Sequence, residues 1–184
     1  ALDDQQRYEE ACRLYKHVTQ LAPQFAEAYA NLGAGLNRLE RYAEAEQAFR
    51  TYLARNPGFA PAFVNLAIAL NHLRQHAEAE ALCRQALARE PDLTGARAML
   101  GKSLAGQGRW LDAVRCFADA IRANPGNPEL LGYLGDALAR TGRMREALDS
   151  FDRALAQDSA PAFIRFGKAI ALFAAGRIHE GAAA

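Results

Sequence analysis

Three groupings in this 184-residue chain have residue types and spacing that could do chemistry. Gly101-Lys102-Ser103 has the ending of a phosphate-binding loop, in which backbone N–H groups cradle phosphates and the lysine reaches their charge. That loop needs a glycine five residues before Gly101, where Ala96 stands, with Gly95 one place off. It also needs to follow a strand, and these residues lie inside a helical pattern, so phosphate binding is not expected. His72 and His76 are four apart and on one regular helix could share a metal. The pattern instead sets them on either side of a turn with no third ligand nearby in sequence, so a surface and a core histidine are expected. Cys12, Cys83 and Cys116 are odd in number and form no C-x-x-C pair. Each stands where a helix wants a small apolar residue, which predicts buried, reduced thiols. No Ser/His/Asp or paired-carboxylate grouping is legible. The residues therefore predict no enzyme, no cofactor and no metal.

A different chemistry is suggested by asparagines. Asn31 and Asn65 are 34 residues apart, and so are Asn37 and Asn71. An asparagine amide both donates and accepts, so it can pair with the two polar groups of an extended backbone without reading sequence. At the neighbouring offsets stand Arg38, then Lys102, Tyr133, Asp136 and Arg140, then Arg165 and Lys168. These residues describe a groove that turns basic toward the C-terminus and favours acidic segments. The competing reading of the charges is an ordinary solvated helix face.

The elements that would position these side chains follow from the same 34-residue shift. Ala45, Ala79, Ala113 and Ala147 coincide, as do Pro23, Pro57, Pro91 and Pro125, and Gly108-Arg109 returns at 142 and 176. A fixed period of this size marks a stacked array. In residues 26–59, Tyr29, Leu32, Gly33 and Leu36 lie on one helical face, and Tyr42, Ala45, Phe49, Tyr52 and Leu53 on another. Pro57 and Gly58 then close the unit. Residues 60–93, 94–127 and 128–161 repeat the pattern. Residues 1–25 are expected to be half a unit, with Tyr8, Ala11, Tyr15 and Val18 as its core face and the first helix missing apart from residues 1–4. In the partial unit 162–184 Ser159 replaces the proline and Ala160-Pro161-Ala162-Phe163 echoes residues 60–63 two residues early. The linker there is expected to be two residues shorter and the next helix two longer. The inter-helix turns carry glycine at 108, 142 and 176 but Glu40 and Arg74 in the first two units.

Aromatic, Leu-Gly, Ala, Phe and Pro at these offsets (Tyr29, Leu32, Gly33, Leu36, Ala45, Phe49, Pro57; again Leu134, Gly135, Leu138, Ala147, Phe151) resemble the tetratricopeptide repeat. Arg97 departs where an aromatic is usual, and His76 where a tyrosine would pack. The resemblance implies an all-α fold, a right-handed superhelical solenoid of antiparallel helix pairs. It also implies a non-catalytic scaffold whose first helices line a concave groove for a protein or peptide ligand. Asn31-Leu32-Gly33 and Asn65-Leu66-Ala67 are similar to the repeats of O-linked N-acetylglucosamine transferase, where asparagines at this place hold substrate backbones. Met99 and Tyr133 take the place in the next two units. Ala30, Val64 and Ala98 are apolar where the carboxylate clamp of chaperone-binding members needs a lysine, so that clamp is not expected.

Composition bounds the remainder. Net charge is +1, which supplies no global field toward nucleic acid or an anionic membrane. Of 22 basic residues 19 are arginine, a bias fitting a GC-rich bacterial genome. No stretch is long and apolar enough to span a bilayer, and residues 1–25 lack a signal peptide's apolar centre, which predicts a cytoplasmic setting. Half-units at both ends predict a piece of a longer protein, with Ile170, Phe173 and Ile178 uncovered. Two further readings follow: the substrate-recruiting arm of a larger enzyme such as a protein glycosyltransferase, and end-to-end self-association.

Overall fold

The computed structural model describes residues 2–176. Among them are ten helices and no strand: α1 (Leu2–Leu21), α2 (Ala26–Arg38), α3 (Tyr42–Arg55), α4 (Ala60–His72), α5 (His76–Arg89), α6 (Thr94–Gly106), α7 (Trp110–Ala123), α8 (Pro128–Arg140), α9 (Met144–Leu155) and α10 (Ala162–Ala174). The even-numbered helices begin 34 residues apart, as the period requires. Contacts divide into two compact units, Ala1–Met99 and Leu100–Ala184, the division falling within α6. In the first, α2 packs on α1, α3 and α4, and α4 on α5; in the second, α8 packs on α7, α9 and α10, and α9 on α10.

One capped turn joins the two helices of each repeat. The amide of Arg41 donates to the Leu36 carbonyl at 2.9 Å and that of Glu40 to Asn37 at 3.2 Å, and the same two bonds recur at Gln75/Arg74, Arg109/Gly108 and Arg143/Gly142. This double closure satisfies the last carbonyls of the first helix and demands a left-handed residue between them. That residue is glycine at 108 and 142, with φ of +77° and +79°, but Glu40 at +58° and Arg74 at +62°. An acid three residues beyond the turn arginine then starts the second helix, as in Arg41–Glu44 at 2.6 Å, Arg109–Asp112 at 2.9 Å and Arg143–Glu146 at 2.6 Å.

Within a repeat the two helices approach through a glycine laid on a phenylalanine. A Cβ at Gly33 would lie 2.8 Å from the Phe49 ring, one at Gly101 2.6 Å from Phe117, and one at Gly135 2.8 Å from Phe151. The second repeat carries Ala67 and Cys83 at these two places, both fully buried. A larger residue on the first helix is matched by a smaller one on the second, and the shared volume is kept.

Three expectations are corrected. α1 is one continuous helix from Leu2, so the residues before Tyr8 extend a second helix and do not belong to a first one. On it Cys12 is the buried residue, while Ala11 is half-buried and Tyr8 40% exposed. At the fifth unit α10 starts in strict phase at Ala162 and has the 13 residues of its counterparts; it is α9 that stops early, at 12 residues against 14. The linker 156–161 is therefore longer than the others. Pro161 is the extended N-cap of α10, at ψ 148°, so the helix starts after it. α10 presents Phe166, Ile170 and Phe173 to solvent at 70, 53 and 67% exposure. Ile178 lies outside the described residues.

Candidate peptide-binding face

The first helices α2 and α4 lie against each other, so the two asparagine pairs sit on neighbouring elements. Their roles differ. Asn37 donates from Nδ2 to the Asn65 carbonyl at 2.9 Å, tying α2 to α4, while its Oδ1 is buried without a partner among the described residues. Asn71 Oδ1 lies 3.0 Å from Nδ1 of His76 across the turn. Burial, helped by the nearby Arg74 charge, holds the His76 imidazole below its ordinary pKa, so the neutral ring with Nδ1–H donating suits the site. His72, on the other side of the turn, stacks on Tyr42 with ring centroids 4.0 Å apart. Asn31 is exposed and Asn65 half-buried, and their side-chain amides make no hydrogen bond among the described residues. Arg38 is exposed at the end of α2.

In the second unit most of the charges are already engaged. Lys102 Nζ donates to Tyr133 Oη at 3.3 Å and lies 4.8 Å from its ring centroid. Tyr133 stacks between Phe117 at 5.7 Å and Phe163 at 5.2 Å, which builds an aromatic run across α7, α8 and α10. Arg140 pairs with Asp136 at 3.7 Å and lies over the Trp110 ring at 5.3 Å. Lys168 pairs with Asp152 of α9 at 2.8 Å. Arg165 is exposed and makes no ion pair among the described residues. Gly101-Lys102-Ser103 lies inside α6; the three cysteines form no disulfide among the described residues, and Cys12 and Cys83 are buried as expected while Cys116 is only half-buried.

One feature was not read from the sequence. A cleft of about 390 Å³ opens between α1 and α3, with Tyr29, Leu32 and Leu36 of α2 among its lining and Cys12 at its wall. Burial raises the Cys12 thiol above its ordinary pKa, against the pull of Arg41, so it stands as a neutral thiol. In the columns of the repeat Thr19 stands where Leu53, Leu87, Ile121 and Leu155 stand, while Ala48 shares its column with Leu82, Cys116 and Ser150.

Helix pairs of near-constant length, closed by one recurring capped turn and registered every 34 residues, define a helical-repeat protein of the interaction-scaffold class. A family model described as tetratricopeptide repeat matches residues 1–58 and 98–162, and a second of the same description matches 36–102. The chain belongs to the tetratricopeptide-repeat family. Among solved structures it is similar to TTC0263, a thermophilic tetratricopeptide-repeat protein of Thermus thermophilus (23% identity, 94% of each chain covered, TM-score 0.76). It is also similar to MamA of Desulfovibrio magneticus (16%, 85% of this chain and 89% of that one, TM-score 0.73). YrrB, described as having an unusual peptide-binding site, follows at 18%, 91% and 86% coverage and TM-score 0.67. At these identities the likeness is one of fold. No curated protein sequence matches the chain. No helix among the described residues is long and apolar enough to cross a membrane.

Proposed function

We propose that the chain is a non-catalytic scaffold that binds an extended segment of another protein across its first helices, with Asn31 and Asn65 pairing with the segment's backbone. The observation that carries this is their contrast with Asn37 and Asn71. Four amides recur in two registers; one register is engaged in holding α2, α4 and α5 together, and the side chains of the other make no hydrogen bond among the described residues. The resemblance of residues 31–33 and 65–67 to the repeats of O-linked N-acetylglucosamine transferase supports the same role, as does the peptide site described for YrrB. A basic preference has less support, because Lys102 is engaged by Tyr133, Arg140 by Asp136 and Lys168 by Asp152, while Arg38 and Arg165 make no ion pair among the described residues.

The test is a pull-down from the source lysate with wild type and with the Asn31→Ala/Asn65→Ala pair. A protein captured by wild type and lost with the pair is the expected result. Thermal melting should be unchanged, since neither side chain lies in the core. Identical capture by both would refute the backbone-gripping role.

A second reading, self-association, has its own observation. Phe163, Phe166, Ile170 and Phe173 are spaced 3, 4 and 3 residues apart, the spacing of a helix–helix seam, and all four are exposed. Sedimentation over a concentration series should show a dimer that Phe166→Glu/Phe173→Glu abolishes. A constant monomer mass would remove the reading.

A further inference from the structure

α10 keeps the 34-residue phase, and this settles which of its faces is apolar. Phe163, Phe166, Ile170 and Phe173 stand in the columns of Glu129, Gly132, Asp136 and Ala139 on α8. A repeat's own second helix takes a different face, that of Leu134, Gly135 and Leu138, where a Cβ at Gly135 would lie 2.8 Å from Phe151. On α10 that face holds Lys168, Ala169 and Leu172, with Lys168 paired to Asp152. The four apolar side chains therefore form a separate surface, turned away from Ile164 and Ala171, by which α10 is buried.

From their exposures, and with about 200 Å² for a large apolar side chain, these four leave roughly 450 Å² of apolar area in water per copy. Two copies brought face to face would cover roughly 900 Å² from these side chains alone, close to the ~1,000 Å² that a specific interface needs. The residues beside them are small, with Ala162 and Ala169 on one edge and Gly167 and Ala174 on the other. A second helix can approach closely, and no charge at the edges excludes a copy of the same helix. The spacing of 3, 4 and 3 residues also reads the same in both directions about Lys168. In an antiparallel pair centred there, Phe163 meets Phe173 of the second copy and Phe166 meets its Ile170, so every layer is apolar. The helix ends favour that direction over the parallel one. α8 and α9 carry an acid in the first turn and an arginine in the last, whereas α10 carries neither. An antiparallel neighbour sets the negative end of its dipole beside the positive end of α10.

We propose that α10 is an isologous dimer interface in which two copies of this chain pair antiparallel about Lys168. This pairing rests on the self-association reading and gives it a direction, a register and a closed end point, since both copies use the same surface.

Sedimentation of the full 184-residue chain over a concentration series, with variants beside wild type, tests the pairing. Wild type should reach a dimer and go no further. In Phe163→Glu/Phe173→Lys an antiparallel pair sets each glutamate against a lysine, whereas a parallel pair sets like charges together. Phe163→Glu/Phe173→Glu opposes like charges in both directions. The Glu/Lys variant should therefore dimerise at least about tenfold more tightly than the Glu/Glu variant at low salt, and the gap should narrow as salt rises. Phe163 also stacks on Tyr133, so Phe166→Glu/Ile170→Lys against Phe166→Glu/Ile170→Glu repeats the comparison without touching that stack, with helical content by circular dichroism as the check on folding. Equal weakening of the Glu/Lys and Glu/Glu members in both comparisons, or growth of wild type beyond a dimer, would overturn the antiparallel pairing and leave self-association through α10 standing. A wild-type monomer, or a dimer indifferent to all four variants, would remove the self-association reading and the pairing with it. A monomer whose α10 amide resonances shift with an amphipathic leucine–lysine helical peptide would assign the surface to a foreign helix instead.

Discussion

The Gly33–Phe49 contact makes a quantitative prediction, because the chain already contains its alternative in Ala67 and Cys83. A methyl group at residue 33 would lie 2.8 Å from the Phe49 ring, where ordinary contact begins at 3.4 Å, so about 0.6 Å (3.4 less 2.8) must be found by movement. Phe49 is 1% exposed and has nowhere to retreat. Overpacking of this kind costs about 1–3 kcal/mol, from which the better helix propensity of alanine recovers about 0.5–1 kcal/mol. Gly33→Ala should therefore destabilise by about 1–2 kcal/mol. Phe49→Cys alone opens a cavity and should cost about 3–4 kcal/mol.

The double variant reproduces the second repeat. With cysteine at 49 the added methyl meets space, so Gly33→Ala changes sign and stabilises by about 0.5–1 kcal/mol. The coupling energy between the two changes should then be about 1.5–3 kcal/mol, well above the roughly 0.5 kcal/mol within which independent sites add. Urea unfolding of wild type, both single variants and the double variant, under reducing conditions and followed by circular dichroism and aromatic fluorescence together, measures it. Additivity within that margin would refute the account of complementary volumes.

The turn residues give a second prediction. Glu40→Gly and Arg74→Gly should each stabilise by about 0.5–1 kcal/mol in the same assay, since a left-handed non-glycine residue costs about 1–2 kcal/mol and glycine returns part of that in entropy. A loss of stability would show that the side chains hold something the turn needs. For His76, the folded pKa is depressed, so the unfolded chain binds its proton first as pH falls. The stability it contributes is present above its ordinary value of 6.5 and lost below it, and His76→Tyr, which restores the usual aromatic, should flatten the dependence of unfolding midpoint on pH between about 7 and 5. An unchanged slope would refute the assignment. Asn37→Ala should cost about 0.5–1.5 kcal/mol by releasing its bond to α4, whereas Asn31→Ala should cost nothing measurable. Equal losses would erase the distinction between the two asparagine registers.

The architecture was legible because a solenoid states each rule several times. Four copies of Ala45's column and four of Pro57's fix where helices pack and stop, and Gly108 and Gly142 announce a turn that Glu40 and Arg74 also adopt. The fifth unit was misread because two cues conflict there: the Ala-Pro-Ala-Phe echo argues for an early start, while Gly176 keeps phase. Pro161 decides the matter by taking the extended N-cap of α10 itself, at ψ 148°, whereas Pro61 lies inside the first turn of α4. Side-chain partnership was less legible. Asn37 and Asn31 are chemically identical in sequence, and only the placement of α4 shows that one has a carbonyl within reach and the other does not. Likewise Lys102 and Lys168 read as free cations until Tyr133 and Asp152 appear beside them.

Departures from the repeat divide by whether the chain compensates them. Ala67 is answered by Cys83 across the helix pair, so volume is conserved. Arg97 stands in the column of Tyr29 and Phe63, whose rings lie under Arg55 and Arg89 at 5.1 and 4.8 Å. Having lost the ring, it turns to the Pro91 carbonyl and lies 3.7 Å from Asp92, so the column keeps a cation at the repeat's end by another route. Thr19 departs from a column of Leu53, Leu87, Ile121 and Leu155, whereas Ala48 keeps to a column that Cys116 and Ser150 also hold small and in which Leu82 is the exception among the full repeats. Compensated departures are what folding alone would retain.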